Sequence, residues 1–375
     1  MELLVSFGQS AVTVVLFFVM LGVLVVIHEI GHFVAARLAG IRVHEFGIGF
    51  PPRARVVGRD HETVYTLNWL PIGGFVRLEG EEGDADDPRS FIRASLPVRL
   101  VVILAGVAMN VLLAFVILLG IAWLPQTAYG LAFDRVQADS PAAAAGLGAD
   151  DLIVEIDGRR FDQVEAQLLV ETLRGAVGRT VTLGVVRGGD APGGSASTAV
   201  EPLVVTLRPA SEIDEGRGAL GIEVLRFAPS AITFTRDPLA AVGVGWERTV
   251  DAFFLIAGGL GDVLGSIVRS PTEAPAASGP VGIAVAVGDV FWGAGLVATL
   301  YLAAILSANL ALVNLLPFPP LDGGRIAMML ARAIAGRRFS VRLERLAYTV
   351  GFVALFGFII WITIFDIARL GGAVQ

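Results

Sequence analysis

Four long stretches of almost uninterrupted apolar residues constrain this chain more than any other feature. They lie at about residues 11–39, 96–124, 293–316 and 346–365. A transmembrane helix needs roughly 20 consecutive apolar residues, and each of these stretches is long enough to form one. Only 17% of the 375 residues are charged, whereas soluble domains carry about 25%. The sequence therefore predicts a polytopic α-helical membrane protein with about four transmembrane helices.

A fifth apolar stretch, at residues 239–268, differs from these four. It is interrupted by four charged residues: Glu247, Arg248, Asp251 and Asp262. Charges at the centre of a bilayer are costly, but an amphipathic helix in the interface keeps them in water. We therefore expect residues 227–292 to form an amphipathic or interfacial segment. The apolar run 279–288 predicts a short re-entrant or surface piece before the third span.

The distribution of arginine predicts how the chain is oriented in the bilayer. The sequence has no Lys, and Arg is dense between the first two spans and at residues 325–345 but absent from residues 1–10. Positively charged loops stay in the cytoplasm, so both termini and the long insert at residues 126–226 are expected on the opposite side. No basic stripe of the kind that binds nucleic acid is present. The chain also has no Cys, which excludes disulfides and thiolate catalysis.

The insert at residues 126–226 has the pattern of one soluble α+β domain. Ser140-Pro141 predicts a capped helix start, and the alternating run at residues 150–156 predicts a strand followed by an Asp157-Gly158 turn. A helix is expected at residues 163–173, and strands at 181–187 and 203–207. The order of these elements, with the runs SPAAAAGL and IVEIDG, resembles a bacterial PDZ domain. A generic small α+β domain is the alternative.

The loop at residues 41–80, between the first two spans, has the pattern of a cytoplasmic β-sheet. It contains three alternating segments, at residues 54–57, 63–67 and 74–78, with turns at 58–60 and 71–74. The edge of such a sheet could pair with an extended peptide segment by strand addition. A plain cytoplasmic sheet is the alternative.

The first span contains the sequence His28-Glu29-Ile30-Gly31-His32. Residues four apart share one face of a helix, so both imidazoles can converge on one metal ion. Glu29 lies beside them, where it can take a proton from a water at the metal. Burying an ionisable residue inside a span is costly, so such residues usually have a functional role. The pattern predicts a catalytic metal; two His packed against neighbouring helices are the alternative.

A catalytic zinc commonly has three protein ligands, so a third ligand is expected. The carboxylates in or near the apolar segments are Asp251, Asp262, Asp289, Asp322 and Asp366. Asp322 follows the third span, which runs in the same direction as the first, and this places it at the depth of His28. Asp366 ends the fourth span on the far side. The Pro- and Gly-rich stretch at 314–324 favours a wet cavity at that depth, although a simple loop at a helix end is the alternative.

Three features together resemble the site-2 protease family in its bacterial RseP-type form. They are HEIGH in the first span, the PDZ-like insert, and N-x-x-P-x-P-x-L-D-G-G at residues 314–324. The resemblance extends over nearly the whole chain. It departs from the family in one respect, since some members have two PDZ domains and this chain has one.

The resemblance implies an intramembrane zinc metalloprotease of the bacterial inner membrane, with its active site toward the cytoplasm. Its substrates would be single-span membrane proteins, such as anti-sigma factors trimmed by an upstream site-1-type protease, or signal-peptide remnants. It also implies that the cytoplasmic sheet is membrane-associated. The expected ligands of Zn²⁺ are His28, His32 and Asp322, with Glu29 as general base. Asn314 and Asn309 would stabilise the oxyanion, although Asn309 could instead bond a neighbouring helix.

The expected domain organisation has four parts. Residues 1–125 and 293–375 form the two halves of a membrane protease core, residues 126–226 the PDZ domain, and residues 227–292 the amphipathic segment. The PDZ domain could bind the extracytoplasmic part of a substrate or exclude bulky substrates by size. The alternative functions are a catalytically silent PDZ membrane scaffold, a metal-handling membrane protein, and a membrane-anchored protease that acts on soluble proteins.

Overall fold

The computed structural model describes residues 2–81, 87–189, 198–213, 218–269, 277–335 and 341–370. Its helices are α1 Glu2–Leu38, α2 Leu96–Trp123, α3 Pro141–Ala144, α4 Ala166–Gly175, α5 Pro238–Arg269, α6 Pro280–Asn314, α7 Asp322–Ala335 and α8 Val341–Leu370. Its strands are β1 Val43–Arg59, β2 Val64–Leu78, β3 Gln126–Val136, β4 Leu152–Ile156, β5 Arg159–Arg160, β6 Thr180–Val186, β7 Glu201–Thr206 and β8 Ile222–Phe234. The chain divides into two compact units, Met1–Ile121 with Val242–Gln375, and Ala122–Ala241.

Among the residues that the structure describes, four helices are long and apolar enough to cross a membrane. They cover Gly8–Leu38, Leu96–Trp123, Pro280–Asn314 and Arg345–Leu370. Large apolar side chains lie exposed along them, as lipid-facing positions do in a membrane protein. The chain is a membrane protein with the four apolar helices that the sequence predicts.

The third of these helices, α6, begins at Pro280, earlier than the predicted start at residue 293. Gly295 (φ 79°) has a non-helical conformation and divides α6 into two helices. The run at residues 279–288 therefore lies in a piece separate from the helix at residues 296–314, as expected, and its re-entrant or surface placement stays a prediction. Near its start, Gly288 packs against Thr13 of α1, where a Cβ would come within 2.6 Å of the Thr13 methyl carbon.

Asp366 binds the N-terminus of α6. It is 2% exposed, and its carboxylate accepts hydrogen bonds from the backbone N–H groups of Gly279 (3.2 Å) and Gly282 (2.8 Å). The first N–H groups of a helix have no partner within the helix, and a glycine has no side chain with which to cap them. Asp366 therefore acts as a helix cap supplied by α8.

The fifth apolar stretch, at residues 239–268, forms one continuous helix, α5. It packs on α2 and α6 through a buried cluster of four alanines and one leucine: Ala114, Leu118, Ala252, Ala304 and Ala308. Gly245 lets the helix approach α2 closely, since a Cβ there would lie 2.9 Å from the Cα atom of Leu119. Of the four charged residues in this stretch, Arg248 is buried, whereas Glu247, Asp251 and Asp262 are exposed.

Strands β1 and β2 form an antiparallel hairpin in which both strands bend. Residues 43–48 pair with 64–67 on one side and with 74–78 on the other, and residues 53–59 pair with 64–68. The predicted turn at residues 71–74 is confirmed. Residues 64–67 run parallel to residues 45–48 whereas residues 74–78 run antiparallel to them, so the chain reverses between the two segments, with Gly73 at φ 82°.

The turn of this hairpin is closed by Asp60. Its carboxylate accepts hydrogen bonds from the backbone N–H groups of Thr63 (2.6 Å) and Glu62 (2.8 Å), and from Arg37 at the end of α1 (3.0 Å). The two backbone N–H groups, helped by Arg37, lower the pKa of Asp60 to about 2. The carboxylate thus connects the hairpin to α1.

The second unit contains a six-stranded sheet in the order β7-β6-β4-β3-β8, with β5 paired to β4. Ser140 caps α3 through a bond from the Ala143 N–H group, and Asp157-Gly158 forms the predicted turn with positive φ at both residues. The sequence analysis missed β3 and β8, which pair from Gln126↔Phe234 to Val136↔Ile222. The strand β8 therefore extends past residue 226, the predicted end of the insert.

Candidate metal centre

The two His residues of the HEIGH sequence lie one turn apart on α1, well inside the helix. Their ring centroids are 4.7 Å apart, and the Nε2 atom of His28 lies 3.1 Å from the Nε2 atom of His32. Both side chains are nearly buried, with 6% and 9% of their surface exposed. The helix thus presents two nitrogen donors to one point, as the i, i+4 spacing predicts.

Asp322, the first residue of α7, completes a group of three donors. Its Oδ2 atom lies 3.0 Å from His28 Nε2 and 3.2 Å from His32 Nε2. Donor atoms around a tetrahedral zinc, with bonds of about 2.0–2.2 Å, are separated by about 3.3–3.6 Å. Two imidazole nitrogens and one carboxylate oxygen also match the donors of a catalytic zinc site. The three residues therefore fit a zinc ion with only a slight opening of the group.

The turn before α7 places Asp322 in this position. Phe318 donates to the Leu316 carbonyl (2.7 Å) and Leu321 donates to the Phe318 carbonyl (2.9 Å), which brings the chain back against the end of α6. Gly324 lies against this turn, since a Cβ there would meet the Phe318 carbonyl carbon at 2.6 Å. The glycines after Asp322 are therefore required for close approach of backbone to backbone.

The protonation state of Asp322 suits a ligand. Burial raises the pKa of this carboxyl, but the close contacts with His28 and His32 outweigh that effect and hold the pKa below its usual range. The side chain is therefore a carboxylate, which is the form that binds a metal.

Glycine permits α2 to pack directly on the two His rings. A Cβ on Gly106 would lie 2.8 Å from His28 Cε1 and would come still closer to the His32 ring. On the facing helix, a Cβ on Gly31 would lie 2.8 Å from the Gly106 Cα atom. Both helices are thus in backbone contact at the metal centre, and this position tolerates no side chain.

We expect Gly106→Ala to weaken zinc binding by at least about 10-fold, because the new methyl group displaces rings that must be held within tenths of an ångström. Gly120→Ala, on the same helix, is the matched control, since a Cβ there meets nothing within 4 Å. Zinc competition with a chromophoric chelator measures both variants. Equal affinity in Gly106→Ala and Gly120→Ala would contradict the role given to Gly106.

A backbone carbonyl orients His32. The Nδ1 atom of His32 lies 2.9 Å from the carbonyl oxygen of Val102 on α2, so Nδ1 carries the proton and donates it. The lone pair of Nε2 then faces Asp322 and His28. In metal sites, a His ligand usually donates a hydrogen bond from its other ring nitrogen to a carbonyl or carboxylate oxygen.

Glu29 lines a small cavity beside the three donors. The cavity has a volume of about 70 Å³, and its polar lining consists of Glu29, His32, Glu81, Asp322 and Arg325. A water molecule occupies about 30 Å³ in the liquid, so there is room for roughly two. Glu29 therefore lies where water can reach both its carboxylate and the metal donors.

The sequence analysis missed the ion pair between Glu81 and Arg325, which lines the same cavity. Glu81 also accepts a hydrogen bond from the backbone N–H group of Leu78, the last residue of β2 (3.2 Å). Arg325 is three residues after Asp322 on α7. The pair thus connects the end of the hairpin to the helix that carries Asp322. The only available signal was the Arg directly after LDGG.

Neither of the two predicted oxyanion residues is found in the lining of this cavity. Asn314 is the last residue of α6, and Asn309 lies farther back on the same helix. Both are partly exposed. Their place at the end of α6 brings them near the turn that leads to Asp322.

Comparison with known proteins identifies the family. The model of Peptidase family M50 matches residues 16–358. This chain belongs to the M50 peptidase family. A candidate zinc metalloprotease of Clostridium perfringens is 34% identical over 92% of this chain and 95% of its own length. A counterpart from Nostoc is 28% identical (93% and 94% of the two chains).

A further relative carries a more specific name. The zinc metalloprotease RasP of Geobacillus kaustophilus is 26% identical over 96% of this chain and 99% of its own length. The prediction of a zinc metalloendopeptidase is confirmed, and Zn²⁺ is its cofactor.

Proposed function

We propose that this M50 peptidase hydrolyses peptide bonds in or near transmembrane segments of single-span membrane proteins, as in regulated intramembrane proteolysis. One observation carries the proposal: two of the three metal donors lie on α1, within a helix long enough to span a bilayer. The peptide bond must reach that helix to be cleaved. A protease for soluble proteins would instead present its site outside the spans.

In this proposal His28, His32 and Asp322 hold the zinc ion, and Glu29 is the general base. When bound, zinc supplies a Lewis acid that lowers the pKa of water and polarises the scissile carbonyl. Glu29 takes a proton from the attacking water and returns it to the leaving amine. Asn314 and Asn309 are proposed as donors to the oxyanion that develops on the carbonyl.

A substrate helix must be unwound before it can be cleaved, because its carbonyl groups are engaged in hydrogen bonds. We assign its binding to the β1–β2 hairpin, which packs against the active site: a Cβ on Gly74 of β2 would lie 3.4 Å from the Cγ atom of Glu29. Large apolar side chains are exposed on this hairpin, among them Ile48, Phe50 and Trp69. They support association of the hairpin with the membrane, and pairing with an extended substrate by strand addition.

Mapping the scissile bond tests the proposed function. Purified full-length protein in proteoliposomes, given a single-span substrate tagged at both ends, is expected to release two fragments whose masses place the cut inside or within a few residues of the span. A chelator of zinc should stop the reaction, and added zinc should restore it. Cleavage confined to the soluble part of the substrate would refute the intramembrane assignment.

The proposed location is the bacterial inner membrane, with the active site toward the cytoplasm and both termini outside. The Arg-rich loops on either side of the site support this orientation. We further propose that the second compact unit is a PDZ domain on the extracytoplasmic side. Its capped α3, the β4 strand with the Asp157-Gly158 turn, and α4 follow the predicted PDZ order.

Deleting this unit distinguishes size exclusion from peptide binding. Because Gln126 and Phe234 are paired neighbours, residues 126–234 can be replaced by a short Gly-Ser linker. If the unit excludes bulky substrates, the deletion variant should cleave full-length substrate, which the intact protein should cleave only after trimming. Cleavage of trimmed substrate by the variant is the control for folding. If the variant cleaves trimmed substrate but still does not cleave full-length substrate, size exclusion is contradicted.

A further inference from the structure

A second buried contact from α2 reaches the other His of the metal centre. The side-chain amide of Asn110 has its nitrogen 3.3 Å from the Nδ1 atom of His28. Asn110 is 0% exposed. The sequence indicated only close helix packing at this position, but the structure places its amide against a candidate metal ligand.

The geometry of His28 determines which kind of partner it needs. Its Nε2 atom faces Asp322 at 3.0 Å and His32 at 3.1 Å, so Nε2 is the nitrogen that faces the metal position. A neutral imidazole whose Nε2 lone pair binds a metal carries its proton on Nδ1. The group opposite Nδ1 must therefore accept a hydrogen bond, and the amide oxygen of Asn110 can do so.

The amide is able to present either of its atoms to His28. Within the described part of the chain, its Oδ1 atom has no hydrogen-bond partner, so a half-turn of the amide breaks no bond other than the one to His28. Oxygen and NH₂ have nearly the same size, and the turn preserves packing. The backbone stays in place because the Asn110 carbonyl accepts a hydrogen bond from Ser307 of α6 (2.8 Å).

We infer that Asn110 is a positioning residue, which orients His28 for zinc through a hydrogen bond from His28 Nδ1–H to the amide oxygen. This inference rests on the proposed metal centre. It completes an arrangement in which α2 holds both His ligands, His32 through the Val102 carbonyl and His28 through a side chain. A substitution can remove the Asn110 side chain, but it cannot remove the backbone carbonyl of Val102.

Zinc affinity and a cobalt spectrum test the inference on the purified full-length protein in detergent. Asn110→Leu keeps the volume but removes the acceptor, and should weaken zinc binding about 10–100-fold. Asn110→Asp keeps an acceptor at the same place, and should bind zinc within about threefold of wild type or more tightly. The visible absorption of bound Co²⁺ should change in Asn110→Leu and stay near that of wild type in Asn110→Asp.

Ser307→Ala is the matched control, because it removes a buried hydrogen bond at the same helix contact without touching the amide; it should leave zinc affinity unchanged. Wild-type affinity in Asn110→Leu, or equal losses in the Leu and Asp variants, would overturn the inference. His28→Ala separates this failure from failure of the metal centre itself. If His28→Ala also binds zinc normally, the proposed ligand set is wrong, and not only the role of Asn110.

Discussion

Glu29→Gln is expected to abolish peptide-bond hydrolysis while the protein still binds about one zinc ion per chain. The amide is nearly the same size as the carboxylate but cannot accept a proton, and general bases contribute about 10²–10⁴-fold to rate. Glu29 is not one of the three clustered donors, so the metal should stay bound. Cleavage of a tagged single-span substrate and zinc analysis of the same preparation measure both effects.

Glu171→Gln provides the charge-matched control for this experiment. Glu171 is exposed on α4, in the second compact unit, and its substitution removes one negative charge from the surface. It should cleave substrate at the wild-type rate. If Glu29→Gln cleaves as fast as Glu171→Gln, the mechanism proposed for Glu29 is wrong.

Asp322→Ala is expected to remove zinc from the protein and, with it, all activity. The Asp322 carboxylate lies within 3.2 Å of both imidazoles and is 9% exposed, so it is placed to bind the same ion as both of them. Loss of an outer-shell partner already costs about 10–100-fold in metal affinity, and we expect loss of this ligand to cost well over about 100-fold. Removing the carboxylate also leaves two imidazoles without their shared partner.

Zinc titration with a competing chelator measures this loss. Asp289→Asn is the control, because Asp289 is an exposed acidic residue of α6 that the sequence also offered as a candidate ligand. It should bind zinc as wild type does. Stoichiometric, tight zinc in Asp322→Ala would show that another residue supplies the third ligand.

The features that the sequence predicted well are local ones. Long apolar runs predict spans because a helix in lipid satisfies its own backbone hydrogen bonds, and the structure has four such helices. HEIGH places two imidazoles on one face of a helix whatever surrounds them. In the insert, Ser140 and the Asp157-Gly158 turn act on their immediate neighbours, and each has the conformation that its residue type predicts.

Features that depend on packing between distant segments were predicted less well. The run at residues 279–288 is apolar, but only the structure shows that it contacts α1 and α8. The pairing of β3 with β8 depends on partners elsewhere in the chain, and it leaves no periodic signal that identifies the partner strand.

The metal centre shows the same division. The sequence by itself determined that His28 and His32 share one face of a helix, and it predicted a carboxylate as the third ligand; topology favoured Asp322 among five carboxylates. Only the tertiary structure brought Asp322 to 3.0 Å from a residue 294 positions away, and only it placed Gly106, Asn110 and the Glu81–Arg325 pair around the site. Helical periodicity is set by the covalent spacing of neighbouring residues, whereas contacts between helices arise from their packing together.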